Sequence, residues 1–91
     1  MADEDDTEQE ICEGRLDGVF SGFRNHDNIF KILGGGAWRQ DEYLFQYHHL
    51  YSPRARIIKT IDKKNEKEQM ETFYIEVEGV KTRVKVKPSY V

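Results

Sequence analysis

Three histidines, one cysteine and the adjacent carboxylates Asp41 and Glu42 are the residues whose types could support proton transfer, nucleophilic attack or metal ligation. Their spacing argues against each use. His26 falls in a run of turn formers, and His48 and His49 are neighbours that an extended chain sends to opposite faces, so they do not converge on one ion. Asp41 and Glu42 diverge for the same reason, and a glycosidase-like carboxylate pair would need a cleft to hold the two groups roughly 5–9 Å apart. Cys12 lies between Glu10 and Glu13, whose negative charge raises a thiol pKa and makes a poor nucleophile. A lone cysteine forms no internal disulfide and no Cys-x-x-Cys pair. Gly34-Gly35-Gly36 lacks the Gly-Lys-Ser/Thr sequence of a phosphate loop and leads into a strand pattern, so it reads as a tight reversal. The expectation is a protein with no catalytic residues, no metal and no cofactor.

Two other groups of residues point to binding. Tyr43, Phe45, Tyr47, His49 and Tyr51 alternate along one face of an extended segment, with Leu44, Gln46, His48 and Leu50 on the other. So many rings exceed what a small core can hold. If Trp38 and Phe45 pack inside, the tyrosines remain for an interface, where Tyr offers large contact area at low entropic cost. Tyr43, Tyr47, Tyr51 and His49 are therefore the predicted interaction residues, serving self-association or a different protein partner. The same rings could form an aromatic cage for a cationic or planar small molecule. The second group is basic: Lys81, Arg83, Lys85 and Lys87 form a stripe, and with Arg54 and Arg56 they could meet the phosphates of a nucleic acid. Glu76 and Glu78 lie beside that stripe, and edge-strand lysines also serve to block strand pairing, which makes this the second choice.

The elements that must position these groups are strands. Ninety-one residues allow one domain with a small core. Charged residues make up 34%, yet 12% are aromatic, which is too many rings for a disordered chain of this polarity. The net charge of −3 conceals an uneven distribution. Residues 1–13 carry seven acids and no Lys or Arg, whereas residues 14–91 hold ten acids against fourteen basic groups. An acidic tail over 1–13, mobile or briefly helical from Thr7, is expected to precede a single β domain over 14–91 and could shield its basic surface. The start Met1-Ala2-Asp3-Glu4-Asp5-Asp6 has no basic or apolar stretch, so a cytoplasmic protein without a membrane segment is expected.

Within the body, β-branched and aromatic residues alternate with polar ones between turn formers. Strands are predicted over 15–23, with two glycines implying a bulge, and over 29–33, 37–51, 54–61, 71–78 and 80–87. Residues 62–69 form a polar loop. A turn at Glu78-Gly79 would set Val77 opposite Val80, Ile75 opposite Thr82 and Phe73 opposite Val84, matching Glu76 with Lys81 and Tyr74 with Arg83 on the outer face. The fold class is all-β, a small antiparallel barrel or rolled sheet of five or six strands, similar in size to an SH3 domain.

Phe20-Ser21-Gly22-Phe23, Ile29-Phe30-Lys31-Ile32, the glycine turn, Ala37-Trp38-Arg39-Gln40, Tyr43-x-Phe45-x-Tyr47, Tyr51-Ser52-Pro53-Arg54 and Val77-Glu78-Gly79-Val80 succeed one another along the chain. This series (F-x-G-[FW], [IV]-F-x-[IL], G-x-[AV]-W-x-Q, alternating tyrosines, Y-x-P, V-x-G-V) spans nearly all of residues 18–87. It resembles a family of small uncharacterised bacterial proteins, some encoded in integron mobile gene cassettes. The resemblance implies a bacterial protein with a compact β-rich domain and supplies no catalytic residue. The acidic tail and the polar insertion at 63–69 depart from the usual form of that family.

Overall fold

Alternating burial organises the described residues into eight antiparallel strands. The computed structural model describes residues 6–24, 26–63 and 69–89. In chain order the strands are β1 (Asp6–Arg15), β2 (Val19–Phe23), β3 (Ile29–Ile32), β4 (Gly36–Gln40), β5 (Gln46–Tyr51), β6 (Arg54–Lys63), β7 (Gln69–Val77) and β8 (Val84–Ser89). Six of them form one sheet in the order β1-β6-β7-β8-β4-β3, and β2 pairs with β5 in a second. The expected all-β class is observed, as a rolled sheet rather than a closed barrel. The two ends of the large sheet meet where Leu16 bridges Ile32, flanked by Asp17 N–H donating to Lys31 O and Leu33 N–H to Arg15 O, both at 2.9 Å.

The two strands beyond the expected six have separate causes. First, the acidic segment is neither a mobile tail nor a helix from Asp6 onward. It is β1, paired with β6 from Asp6 opposite Asp62 to Arg15 opposite Arg54, with a bulge between Glu10 and Cys12. Second, the expected strand over 37–51 is broken at residues 41–45 into β4 and β5. The expected bulge in 15–23 occurs at Gly22, where the β2–β5 register shifts. Gly22 has φ of 112°, and a Cβ there would lie 2.0 Å from Gln46 O, so only glycine lets β5 approach this closely. The triglycine segment makes the predicted reversal between β3 and β4, with Gly35 N–H donating to Ile32 O at 2.8 Å. The polar loop predicted over 62–69 falls mostly on residues 64–68, outside the described residues.

The terminal hairpin keeps its predicted faces but not its register. Phe73 lies opposite Val86 and Ile75 opposite Val84, two positions from the expected pairing, and residues 78–83 form a longer loop. A shift of two preserves the inside-outside parity, so Ile75, Val84 and Val86 are buried in either arrangement. Burial energy fixes parity and leaves both registers open, and Glu76 meets a cation in either. The observed one brings Arg83 rather than Lys81 to Glu76, with Arg83 Nη2 donating to Glu76 Oε2 at 2.6 Å.

The core lies between the two sheets. Phe20 and Phe23 of β2 meet Phe30 of β3 at centroid distances of 6.1 and 5.9 Å, and they rest against Ile57, Ile75, Val84 and Val86 of the large sheet. Trp38 is buried as expected and donates its indole N–H to Gly35 O at 3.0 Å. One polar residue is buried with this cluster. Gln40, at 0% exposure, accepts at Oε1 from Arg24 N–H at 2.8 Å and from Asn28 Nδ2 at 3.4 Å. Its Nε2 donates to Arg24 O, to Glu42 O at 2.9 Å and to Leu44 O at 3.0 Å. Replacing Gln40 with Leu strips the Arg24 amide and three carbonyls of this partner at once. We predict a loss of roughly 3 kcal/mol or more in urea unfolding. Gln46→Leu, which gives up a half-buried bond to Thr82 at 3.2 Å, should cost about 1 kcal/mol.

Candidate functional site

The aromatic segment begins where Gln40 redirects the chain. Asp41 still donates its N–H to Lys85 O at 2.7 Å, and the bonds of Gln40 to Glu42 O and Leu44 O then hold residues 42–45 off the β4 ladder, with β5 starting at Gln46 on the second sheet. Inward-facing side chains then anchor β5. Leu50 packs on the core, and His48 stacks against Phe20 at 5.9 Å and meets Phe23 at 6.2 Å. His48 Nε2 lies 3.1 Å from Gln46 Oε1, and Gln46 Nε2 donates to Thr82. These contacts fix which way β5 faces.

The other parity faces outward. Tyr43, Phe45, Tyr47 and Tyr51 are 86%, 79%, 76% and 80% exposed, and His49 is exposed among them. Phe45 is therefore part of the surface stripe rather than a core residue. The predicted residues Tyr43, Tyr47, His49 and Tyr51 share one side of one segment, with Val19 of β2, itself 51% exposed, opposite Tyr51. His26 adds an edge-on contact with Tyr43 at 6.4 Å. From Tyr43 to Tyr51 there is no Asp, Glu, Lys or Arg, in a chain that is 34% charged. Among the described residues β5 pairs only with β2, which leaves its other edge open. The rings lie on an open strand face and do not converge around a cavity.

The basic residues separate into two groups. Arg54 pairs with Glu13 at 3.3 Å, and Arg56 with Glu10 at 3.2 Å and Glu76 at 2.8 Å. Arg83 pairs with Glu8 at 3.2 Å and Glu76 at 2.6 Å, while its guanidinium carbon sits 5.0 Å from the centroid of the Tyr74 ring. The three arginines among the six residues proposed for nucleic acid are therefore occupied by acids, most of them from β1. Lys81 and Lys85 are exposed, and Lys87 contacts Asp41 at 3.8 Å. An open groove of about 470 Å³ beside the 78–83 loop is lined by Arg54, Arg56 and Lys81 and equally by Glu13, Glu76 and Glu78, which cancels its field.

The remaining chemically capable residues stand apart. His48 points inward and His49 outward, as strand alternation requires. Asp41 reaches Lys87, and Glu42 Oε1 accepts the Lys85 amide at 2.9 Å, so both carboxylates turn toward β8 where an extended chain would have sent them apart. Burial pushes the Cys12 thiol above its ordinary value, a backbone hydrogen bond at Ile57 works against that, and the charge of Glu10 adds to it. Its Sγ lies 3.7 Å from Gly35 O. Among the described residues no cluster of three or more His, Cys, Asp and Glu could hold a metal, and no helix is long and apolar enough to cross a membrane.

No family model, curated protein or solved structure matches this chain. Sequence reasoning located the ring-bearing face and missed Gln40 as the residue that orients it. The only sequence signal for Gln40 was its place in the Trp-x-Gln motif. The ion pairs joining β1 to Arg54, Arg56 and Arg83 were also missed, because they link positions 41 to 75 residues apart.

Glu76 is the centre of that charge network. Its carboxyl is held below the ordinary glutamate range first by the Arg83 hydrogen bond and also by Arg56, against an opposing effect of burial. A carboxyl depressed on folding adds stability at every pH above its unfolded value, about 4.3, and loses that contribution as acidification passes through the folded value. We predict that Glu76→Gln lowers stability by about 1 kcal/mol at neutral pH. In paired urea titrations across pH, the difference from the native chain should disappear on acidification below the carboxylate range.

Proposed function

We propose that this protein is a non-catalytic interaction module that self-associates through the aromatic face of β5. The observation that supports this most strongly is the combination of four exposed rings with a nine-residue stretch lacking formal charge, Tyr43 to Tyr51. Four Tyr and Phe rings offer roughly 600 Å² per copy, most of the ~800 Å² per partner in a standard interface. An apolar patch of that size is uncommon on a monomer that stays alone.

The treatment of the two sheet edges favours a second copy as the partner. β1 is an edge of the large sheet and carries Glu8, Glu10 and Glu13, charges of the kind that discourage edge pairing. β5 has an open edge with no charge at all. A two-fold arrangement lets the same uncharged patch serve both partners, with no complementary charge required. The residues shared with the small cassette-borne bacterial proteins shape this same region: Gly22 admits β5, Gln40 redirects the chain, and Tyr43, Phe45 and Tyr47 supply rings. That coincidence supports kinship with the family.

The test is the solution mass. Y47K/Y51K should shift the species seen by light scattering toward monomer while strand content by circular dichroism is retained. A native chain that is already monomeric at high concentration, or a variant with unchanged mass, overturns the reading.

A further inference from the structure

The outer face of the large sheet divides by charge. On the side formed by β1, β6 and β7, Arg54 and Arg56 are matched by acids as described, while Arg15 at the end of β1 donates to Ser52 O at 2.9 Å. Arg83, just before β8, is also matched by acids. On the side formed by β8, β4 and β3 the pattern differs. Lys85 and Lys87 alternate with the buried Val84 and Val86, Arg39 lies between the buried Trp38 and Gln40, and Lys31 lies between the buried Phe30 and Ile32. All four cations therefore emerge on the same face. Register places Arg39 directly opposite Lys87, with Lys31 opposite Ala37, two residues along β4.

A like-charge pair directly across two strands destabilises a sheet. The compensation here is slight: Asp41 lies 3.8 Å from Lys87, and Glu42 is bonded to the Lys85 backbone amide. Among the described residues no carboxylate forms an ion pair with Lys31, Arg39 or Lys85. We infer that this patch binds the phosphate backbone of a nucleic acid through Lys31, Arg39, Lys85 and Lys87.

The geometry selects that class of ligand. Residues two apart on a strand are about 6.8 Å apart and neighbouring strands about 4.8 Å, so the cations form a flat open lattice. A single small anion would find no enclosing walls there, whereas a run of phosphates meets several charges at once and gains from releasing condensed counterions. A protein partner would ordinarily require an apolar or aromatic anchor at the centre. Among the described residues, the exposed large apolar side chains include none on β3, β4 or β8; only Leu33, just after β3, borders the patch, at its edge and not its centre. This inference is independent of self-association, since the rings of β5 belong to the other sheet.

The experiment is fluorescence anisotropy of labelled single-stranded DNA and RNA titrated with the full chain. Four phosphate contacts on a single strand predict that log K falls against log salt with a slope near −3, roughly. R39Q/K85Q should halve that slope, approximately, and weaken binding about tenfold or more at low salt. K81Q, which removes an exposed cation outside the patch, should change neither, and circular dichroism checks that each variant folds. Y47K/Y51K should bind as the native chain does, whatever its mass. No anisotropy change at low salt, an equal loss in K81Q, or displacement of the DNA by polyglutamate at matched charge would each overturn the assignment, the last in favour of an acidic protein partner.

Discussion

The buried carboxamide of Gln40 is the constraint on which the rest of the arrangement depends. An amide side chain has two donor hydrogens and an acceptor oxygen, and buried without partners it would cost several kcal/mol. Here its oxygen accepts from Arg24 N–H, and its two amide hydrogens are shared among the carbonyls of Arg24, Glu42 and Leu44. Those bonds join the end of β4, the turn between β2 and β3, and the strap leading into β5. Asn28 reinforces the junction by donating to Gly22 O at 3.0 Å while its own carbonyl accepts Gln40 N–H at 2.8 Å. The strap leaves the large sheet because its carbonyls are held by a side chain instead of a neighbouring strand.

That departure determines what the surface can do. Had residues 37–51 continued as one strand, the rings would have stood on a face of the large sheet. Transferred to the second sheet, β5 presents Tyr43, Phe45, Tyr47 and Tyr51 to solvent while His48 and Leu50 join the core. Gly22 makes the transfer possible, since any side chain there would collide with the β5 backbone. The protein thus presents an uncharged aromatic strand on one sheet and a charged face on the other.

The charged face depends on contacts that span the chain. β1 is dense in acids that repel one another, and a segment of that kind gains little from its own neighbours. It is held as a strand by its backbone ladder with β6, and Arg54 and Arg56 on β6 and Arg83 before β8 offset its repulsion by meeting Glu13, Glu10 and Glu8. These pairs are solvent-exposed, and each contributes only a fraction of a kcal/mol, but as a network around Glu76 they neutralise one half of the face. The cations of β3, β4 and β8 remain largely uncompensated, which gives the outer surface its polarity.

Local chemistry in the sequence was enough to specify the all-β class, the glycine reversal, the bulge near Gly22 and the inside-outside parity of nearly every strand, because alternation with period two is written residue by residue. It identified Tyr43, Tyr47, His49 and Tyr51 as one outward row for the same reason, and it set His48 apart from His49. Tertiary structure decided the questions for which several answers share one parity. These were the register of β7 against β8, the conversion of an acidic tail into β1, the break between β4 and β5, and the division of basic residues into paired and unpaired groups. β1 and the division of the basic residues depend on charge partners 41 to 75 residues apart. The β7–β8 register and the break after β4 come with contacts of Glu76 and Gln40 that are near in sequence but form only in the packed chain.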